Sequence, residues 1–321
     1  MLLYRRLALS AALALLPVAA GAAEFALPID CTPGSTCFIQ KYVDVDPGEV
    51  TVDHACGTLS SPAHKGTDFR VLPGASADVV AAAPGTVKAV RDGMADNVFA
   101  DEITVPSDRA CGNGVLIDHG GGVETLSCHL SPGTLRVAVG DPVETGTVLG
   151  RVGASGQAAF RHVHFQIIDN GRVVDPFTGF AIGEAACDTP GTPLWSGAAG
   201  KALADTPRTA ILAAGFADGP VAIPDIQDGT LAPVAAGAGA LVGYGLVFGP
   251  EAGDRHRLVL QGPGIAVRQE VPQERAQAQS MRFAGKRLAD GLAPGRYTLV
   301  YAIVRDGRVI DEVTRQLTIE R

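Results

Sequence analysis

Glycine and proline punctuate this chain so often, 40 and 21 times in 321 residues, that few stretches are left long enough for a helix. Between the turn signals lie short runs of β-branched and aromatic residues, so the chain reads as mostly β with antiparallel hairpins. The clearest run is RHVHFQIIDNGRVVDPF. There Val163, Phe165 and Ile167 fall on one face and His162, His164 and Gln166 on the other, and Asn170-Gly171 supplies a two-residue hairpin turn. Upstream, VVAAAPGTVKAV, NGVLIDHGGGVETLSCHL and LRVAVGDPVETGTVLGRVG each read as strand, turn and strand. The segment from Met94 to Arg109 has no clear period and is expected to leave the sheet.

The two ends and the middle divide the chain. Arg5 and Arg6 precede an apolar run from Leu7 to Ala23 that ends in small residues, the layout of a cleaved secretory signal, residues 1–23. Ser10 and Pro17 interrupt it, which argues against a membrane-spanning helix. No later stretch is long and apolar enough to span a bilayer. Residues 24–188 form the first expected domain, with its core at 55–180. Residues 189–205, rich in Gly, Pro and Ala, read as a linker that Trp195 docks to that domain. Residues 206–321 carry several short strands and a final hairpin turning at Asp306-Gly307, a pattern that suits a smaller immunoglobulin-like β-sandwich.

All six cysteines fall before residue 190, and none form a C-x-x-C pair. An even count in a chain bound for an oxidising compartment points to disulfides rather than thiolate metal ligands. Cys31 and Cys37 close a short loop and are expected to pair. Cys128 is expected to face away from any groove next to His129 and to bond Cys187. The formal charge of −8, which falls to about −10 without Arg5 and Arg6, argues against a nucleic-acid partner.

Four histidines and one aspartate carry the chemistry: His64 and Asp68 in HKGTD, His129 in SCHL, and His162 and His164 in HVH. Two apart on a strand, His162 and His164 project from the same face, so one imidazole can bind a metal while the other stands beside it. Fully extended, His64 and Asp68 would be about 13 Å apart, too far to share an ion at about 2.0–2.2 Å. The chain must bend between them, and Gly66 is the residue that permits it. His and carboxylate ligation without thiolate suits a catalytic zinc site with an open position.

In HKGTDFR, VAAAPGTVKAV, GNGVLIDHGGGVETLSCHL, VAVGDPVETGTVLGRVGASG and RHVHFQI, taken in order, the chain resembles the lysostaphin/LytM-type zinc metallopeptidases. The resemblance covers about residues 55–180. It implies an antiparallel β-fold with a groove, one zinc ion held by His64, Asp68 and His164, and a catalytic pair, His129 and His162. It also implies an exported endopeptidase, periplasmic or secreted, that hydrolyses peptide cross-links of peptidoglycan with a metal-activated water. Ser127 stands where the family usually has an aromatic residue, and Val163 where Leu is common.

Two other functions compete. One is a non-catalytic wall-binding or amidase-regulating protein using the same groove; the other is a zinc carboxypeptidase or a peptidase of non-wall proteins. Retention of all five polar positions favours the enzyme. His119 is expected to bond backbone in its turn, and His54 and His256 to be surface residues. GASG around Ser155 lacks the nucleophile-elbow arrangement, and Gly112, Gly114 and Gly153 read as turn or close-packing positions.

Overall fold

The computed structural model describes residues 24–96 and 105–320; the expected signal segment and part of the excursion after Met94 lie outside them. The described chain is mostly β, and its sheets are antiparallel. Among the described residues no helix is long and apolar enough to cross a membrane.

Among its described residues the N-terminal part carries ten strands: β1 (Cys37–Lys41), β2 (Thr67–Val71), β3 (Asp78–Val80), β4 (Gly85–Arg91), β5 (Gly114–Asp118), β6 (Val123–Cys128), β7 (Pro142–Val143), β8 (Val148–Arg151), β9 (His162–Asp169) and β10 (Arg172–Val174). Eight of them form one sheet in the order β1-β2-β9-β6-β5-β4-β7, with β10 paired to β9, while β3 pairs with β8. The alternation on β9 is realised: Val163, Phe165 and Ile167 are buried in the core with Phe69 and Val71 of β2. Each such side chain contributes roughly 1.5–3 kcal/mol by leaving water. Burying this face commits the alternate residues to the other one, because a one-residue slip would expose the whole apolar set.

Trp195 is buried in the same core, its ring 5.9 Å from that of Phe165 and 6.0 Å from that of Phe69. Phe25 bonds the chain on either side of it, donating to Leu194 O and accepting from Ser196 N, each at 2.8 Å. The patternless stretch after it contains a helix, α1 (Gly197–Ala204), capped by the Ser196 hydroxyl. Its two glycines disguise an otherwise alanine-rich, helix-favouring segment.

The C-terminal part carries β11 (Ala210–Ala217), helix α2 (Ile223–Asp228), β12 (Ala240–Phe248), β13 (Arg255–Gly262), β14 (Ile265–Pro272), β15 (Gln279–Arg287), β16 (Gly295–Arg305) and β17 (Arg308–Ile319). A three-stranded sheet, β11-β12-β15, faces a four-stranded one, β14-β13-β16-β17, around a shared core containing Leu241, Leu258, Leu299 and Tyr301. Gly245 makes room for Tyr301, since a Cβ there would lie 2.4 Å from the ring. His256 is not a surface residue: it is 1% exposed and bonds the Tyr301 hydroxyl at 2.7 Å and Gln273 Oε1 at 3.0 Å. It alternates with Leu258 and Leu260 on the inward face of β13, which overrides its polarity. His54 is half-buried, its ring stacked on Phe177 at 4.7 Å.

The two parts share apolar contacts. Phe38 of β1 packs against Phe248 of β12 at 5.2 Å, in a cluster with Leu212, Leu246 and Ile226. Three disulfides staple the N-terminal part. Cys31 pairs with Cys37 as expected, but Cys187 bonds Cys56 and Cys128 bonds Cys111. The expected Cys128–Cys187 bond is absent because the segment after β10 returns to the His54 turn, where Asp188 N donates to His54 O at 2.6 Å.

Candidate metal centre and catalytic cleft

Register brings the five polar positions together. Asp68 lies opposite His164 and Arg70 opposite His162 across the β2–β9 ladder, so their side chains share the face turned away from the core. His64 sits in the turn just ahead of β2. Its Nε2 is 3.1 Å from Asp68 Oδ1, and His164 Nδ1 is 2.9 Å from the same oxygen. One ligand atom from each of the three lies within 4.8 Å of the others. His162 Nε2 comes to 3.5 Å from Asp68 Oδ1. The His129 ring lies 4.7 Å from that of His162 and 5.9 Å from that of His164.

Gly66 serves this meeting by its smallness. A Cβ at this position would lie 2.6 Å from His164 Nε2 and 2.7 Å from Phe165 O. Close approach of the ring, more than freedom to bend, is why glycine is needed there.

Backbone carbonyls fix the tautomers. A carbonyl only accepts, so His64 donates Nδ1–H to Tyr42 O, His129 to Ser155 O and His162 to Phe160 O, each at 2.8 Å. The Nε2 atoms of all three rings are thereby turned towards the cleft. A lone pair and a carboxylate oxygen repel at 3.1 Å, so the His64–Asp68 contact requires a positive species between them, a proton or a metal cation. The donors are two imidazoles and one carboxylate, a set that fits a catalytic zinc ion.

The electrostatics agree. Burial pulls the His64 imidazole down, but the Asp68 charge, its hydrogen bond and the Tyr42 carbonyl lift it above its ordinary value. Burial alone would raise Asp68; the positive charge on His64 and the hydrogen bonds from His164 and His64 hold it well below the usual carboxylate range. Burial, reinforced by the neighbouring imidazoles His162 and His164, holds His129 well below its ordinary value. Burial also pushes His162 down to about 4, the attraction of Asp68 offsetting only part of it. Both rings are therefore neutral at neutral pH.

Cys128 does not face away from this cleft. It lies opposite His164 across the β6–β9 ladder, and with Cys111 it lines the cleft wall. Strand alternation stops there because β6 ends at Cys128, and His129 takes a left-handed conformation with φ of 66°. The disulfide partner reinforces the turn, since Cys111 O accepts from His129 N at 2.9 Å. The His119 ring bonds backbone, but at Pro84 O outside its own turn, and also the Thr125 hydroxyl. Gly112, Gly114 and Gly153 are close-packing positions, each with backbone or side-chain atoms within 2.6 Å of where a Cβ would stand.

The sequence reading missed the residues that hold the rings. Tyr42, Phe160 and Ser155 act through carbonyls that every residue possesses, so no side-chain signal could mark them. Ser155 is itself held by a buried network: its hydroxyl accepts from Asn113 N and donates to Leu130 O, which also accepts from Asn113 Nδ2. The cleft encloses about 620 Å³ and is lined by the five polar residues together with Lys41, Ser61, Gln157 and Phe160.

Residues 62–176 match Peptidase family M23 and include all five positions. This part of the chain is an M23 peptidase domain. A 65-residue stretch is 43% identical to the DD-carboxypeptidase/endopeptidase Mpg of Neisseria meningitidis serogroup B. That stretch is 20% of this chain and 14% of that protein, so the match spans a small part of the relative's length. Among solved structures, the M23 domain is similar to the catalytic domain of the antimicrobial peptidase lysostaphin from Staphylococcus simulans. There the identity is 21% over 43% of this chain and 89% of that one, with a TM-score of 0.29. It is also similar to a zinc containing peptidase from Vibrio cholerae, at 25% identity over 43% of this chain and 39% of that one, TM-score 0.29.

Proposed function

We propose that this protein is an exported, zinc-dependent endopeptidase that cuts peptide bonds in bacterial peptidoglycan. The observation that carries the reading is the convergence of His64 Nε2, Asp68 Oδ1 and His164 Nδ1 within one ligand sphere, beside two neutral imidazoles. His64, Asp68 and His164 would hold one zinc ion. Zinc, when held there, supplies a Lewis acid that polarises the scissile carbonyl and makes water a better nucleophile.

The chain's own residues then handle the proton. His129 and His162 keep Nδ1–H on their carbonyls, so each offers Nε2 to accept a proton from attacking water. Once protonated, either can hydrogen-bond the developing oxyanion or return the proton to the leaving amine. Burial of both rings favours the neutral form that such a base requires. The peptidoglycan substrate is supported by the family and by the local identity to an endopeptidase. Export is supported by the Arg5-Arg6 and apolar segment and by three disulfides, which persist in oxidising compartments.

The test is digestion of purified sacculi by the full mature chain, with zinc content measured on the same sample. Stoichiometric zinc and released muropeptides, both lost on chelation and restored by zinc, are the expected result. A zinc-loaded protein that releases nothing from sacculi or from defined cross-linked muropeptides would overturn the wall-endopeptidase reading and favour a binding role for the cleft.

A further inference from the structure

Arg70 is 1% exposed, and among the described residues no carboxylate lies within ion-pair distance of it. Its Nη1 donates to Gln40 Oε1 and, at 3.0 Å, to Gln279 Oε1 on β15 of the C-terminal sandwich. Its Nε has no hydrogen-bond partner. A guanidinium held this way is weak support for stability, since apolar groups of similar volume often replace buried charges without loss. Its geometry points elsewhere. Arg70 lies over the Phe160 ring at 4.8 Å, and that ring lies 4.5 Å from the His162 imidazole. Phe160 also supplies the carbonyl that fixes the His162 tautomer.

Further contacts reach the same segment from the sandwich. Gln227 Nε2 of α2 donates to Gln279 Oε1 at 3.1 Å, holding the acceptor that Arg70 uses. Arg161, between Phe160 and His162, pairs with Asp96 at 2.7 Å and approaches Asp228 of α2 at 3.5 Å. On the His64 side, Arg208, just ahead of β11, pairs with buried Asp53 and lies over the Tyr42 ring at 4.8 Å. Tyr42 is the residue whose carbonyl holds His64.

We infer that the C-terminal sandwich braces the wall of the catalytic cleft, and that Arg70 is a positioning residue carrying that brace from Gln279 through Phe160 to His162. The sandwich thereby sets where the His162 imidazole stands relative to Asp68. The kinetic part of this inference rests on the peptidase reading; the placement of His162 does not.

The test uses the full chain with Arg70→Met, Gln279→Ala and the double variant. Thermal midpoint, zinc content, kcat and KM are measured on peptidoglycan fragments, and histidine ring signals by nitrogen-15 NMR. Arg70→Met should keep its midpoint and zinc while kcat falls about ten- to a hundredfold at unchanged KM, the signature of a misplaced catalytic group. Gln279→Ala should move kcat the same way by less, and the double variant should be no worse than Arg70→Met, because the two act through one path. His162 signals should shift in both single variants. Unmoved His162 signals with wild-type kcat, or strictly additive losses, would overturn the inference. Should Arg70→Met fail to fold, Gln279→Ala decides by the same readouts. A wild-type chain without peptidase activity would sink the peptidase reading, while the His162 signals would still decide the brace.

Discussion

Replacing Gly66 by Ala tests whether the approach of His164 to Asp68 is as tight as the backbone implies. The new Cβ would stand 2.6 Å from His164 Nε2 and 2.7 Å from Phe165 O, about 0.8 Å inside ordinary contact, which begins at 3.4 Å. Phe165 O belongs to β9, whose backbone is laddered to β2 on one side and β6 on the other, so it cannot retreat. The imidazole must move instead, and moving it off Gly66 carries Nδ1 away from its position 2.9 Å from Asp68 Oδ1. Metal sites tolerate about ±0.2 Å in ligand distance. Losing a supporting partner alone lowers metal affinity about 10–100-fold, so displacing a ligand should cost zinc affinity at least the upper end of that range. Overpacking should add roughly 1–3 kcal/mol of destabilisation. The assay is competition for zinc against a chromophoric chelator, with a thermal melt of each sample. Gly197→Ala at the start of α1, where a Cβ meets nothing within 4 Å, serves as control. Wild-type zinc affinity in Gly66→Ala would refute the reasoning.

Asp68→Ala should weaken zinc binding and leave the folded chain dependent on added zinc for activity, read by the same competition assay and by sacculus digestion with and without zinc. His129→Ala should keep zinc and lose about 10²–10⁴-fold in kcat, the usual contribution of a positioned acid–base group; a zinc-loaded, fully active His129→Ala would end that division of labour. His256, which burial and, more weakly, Arg282 hold below its ordinary value against the pull of its Gln273 bond, should make stability pH-dependent. Its folded value lies below the unfolded one near 6.5, so its contribution is complete above about pH 6.5. It is lost as pH falls from there to the folded value, at up to about 1.4 kcal/mol per pH unit. Thermal midpoints of His256→Gln should therefore fall less steeply than those of wild type below pH 6.5, and parallel curves would contradict this.

What could be read in advance follows the range of the interaction. The HxH pair was legible because strand period is local, and burying Val163, Phe165 and Ile167 forces the two imidazoles to the opposite face. The turns at Asn170-Gly171 and Asp306-Gly307 were legible for the same reason, and all four residues take positive φ as that turn type demands. Cysteine pairing was not, since Cys56 and Cys187 are 131 residues apart and their meeting depends on how the loops return. The side of the cleft on which Cys128 falls turned on a single left-handed residue, His129. The alternation of His256 with Leu258 and Leu260 was a local hint of its burial that its polarity masked, whereas nothing local marked Arg70, whose surroundings come from distant strands.

The amino-acid order by itself determined a mostly β chain, the five polar side chains suited to a metal and its water, and an N-terminal half rich in half-cystines. Those properties rest on residue chemistry and on periods of two to four residues, which no tertiary contact has to supply. The tertiary structure alone decided that His64, Asp68 and His164 face one point, that backbone carbonyls set the tautomers of three imidazoles, and that a second β unit buttresses the strand bearing His162. Each of these requires segments up to about 200 residues apart to be held within a hydrogen bond's length, and only the packed cores of the two units impose that distance.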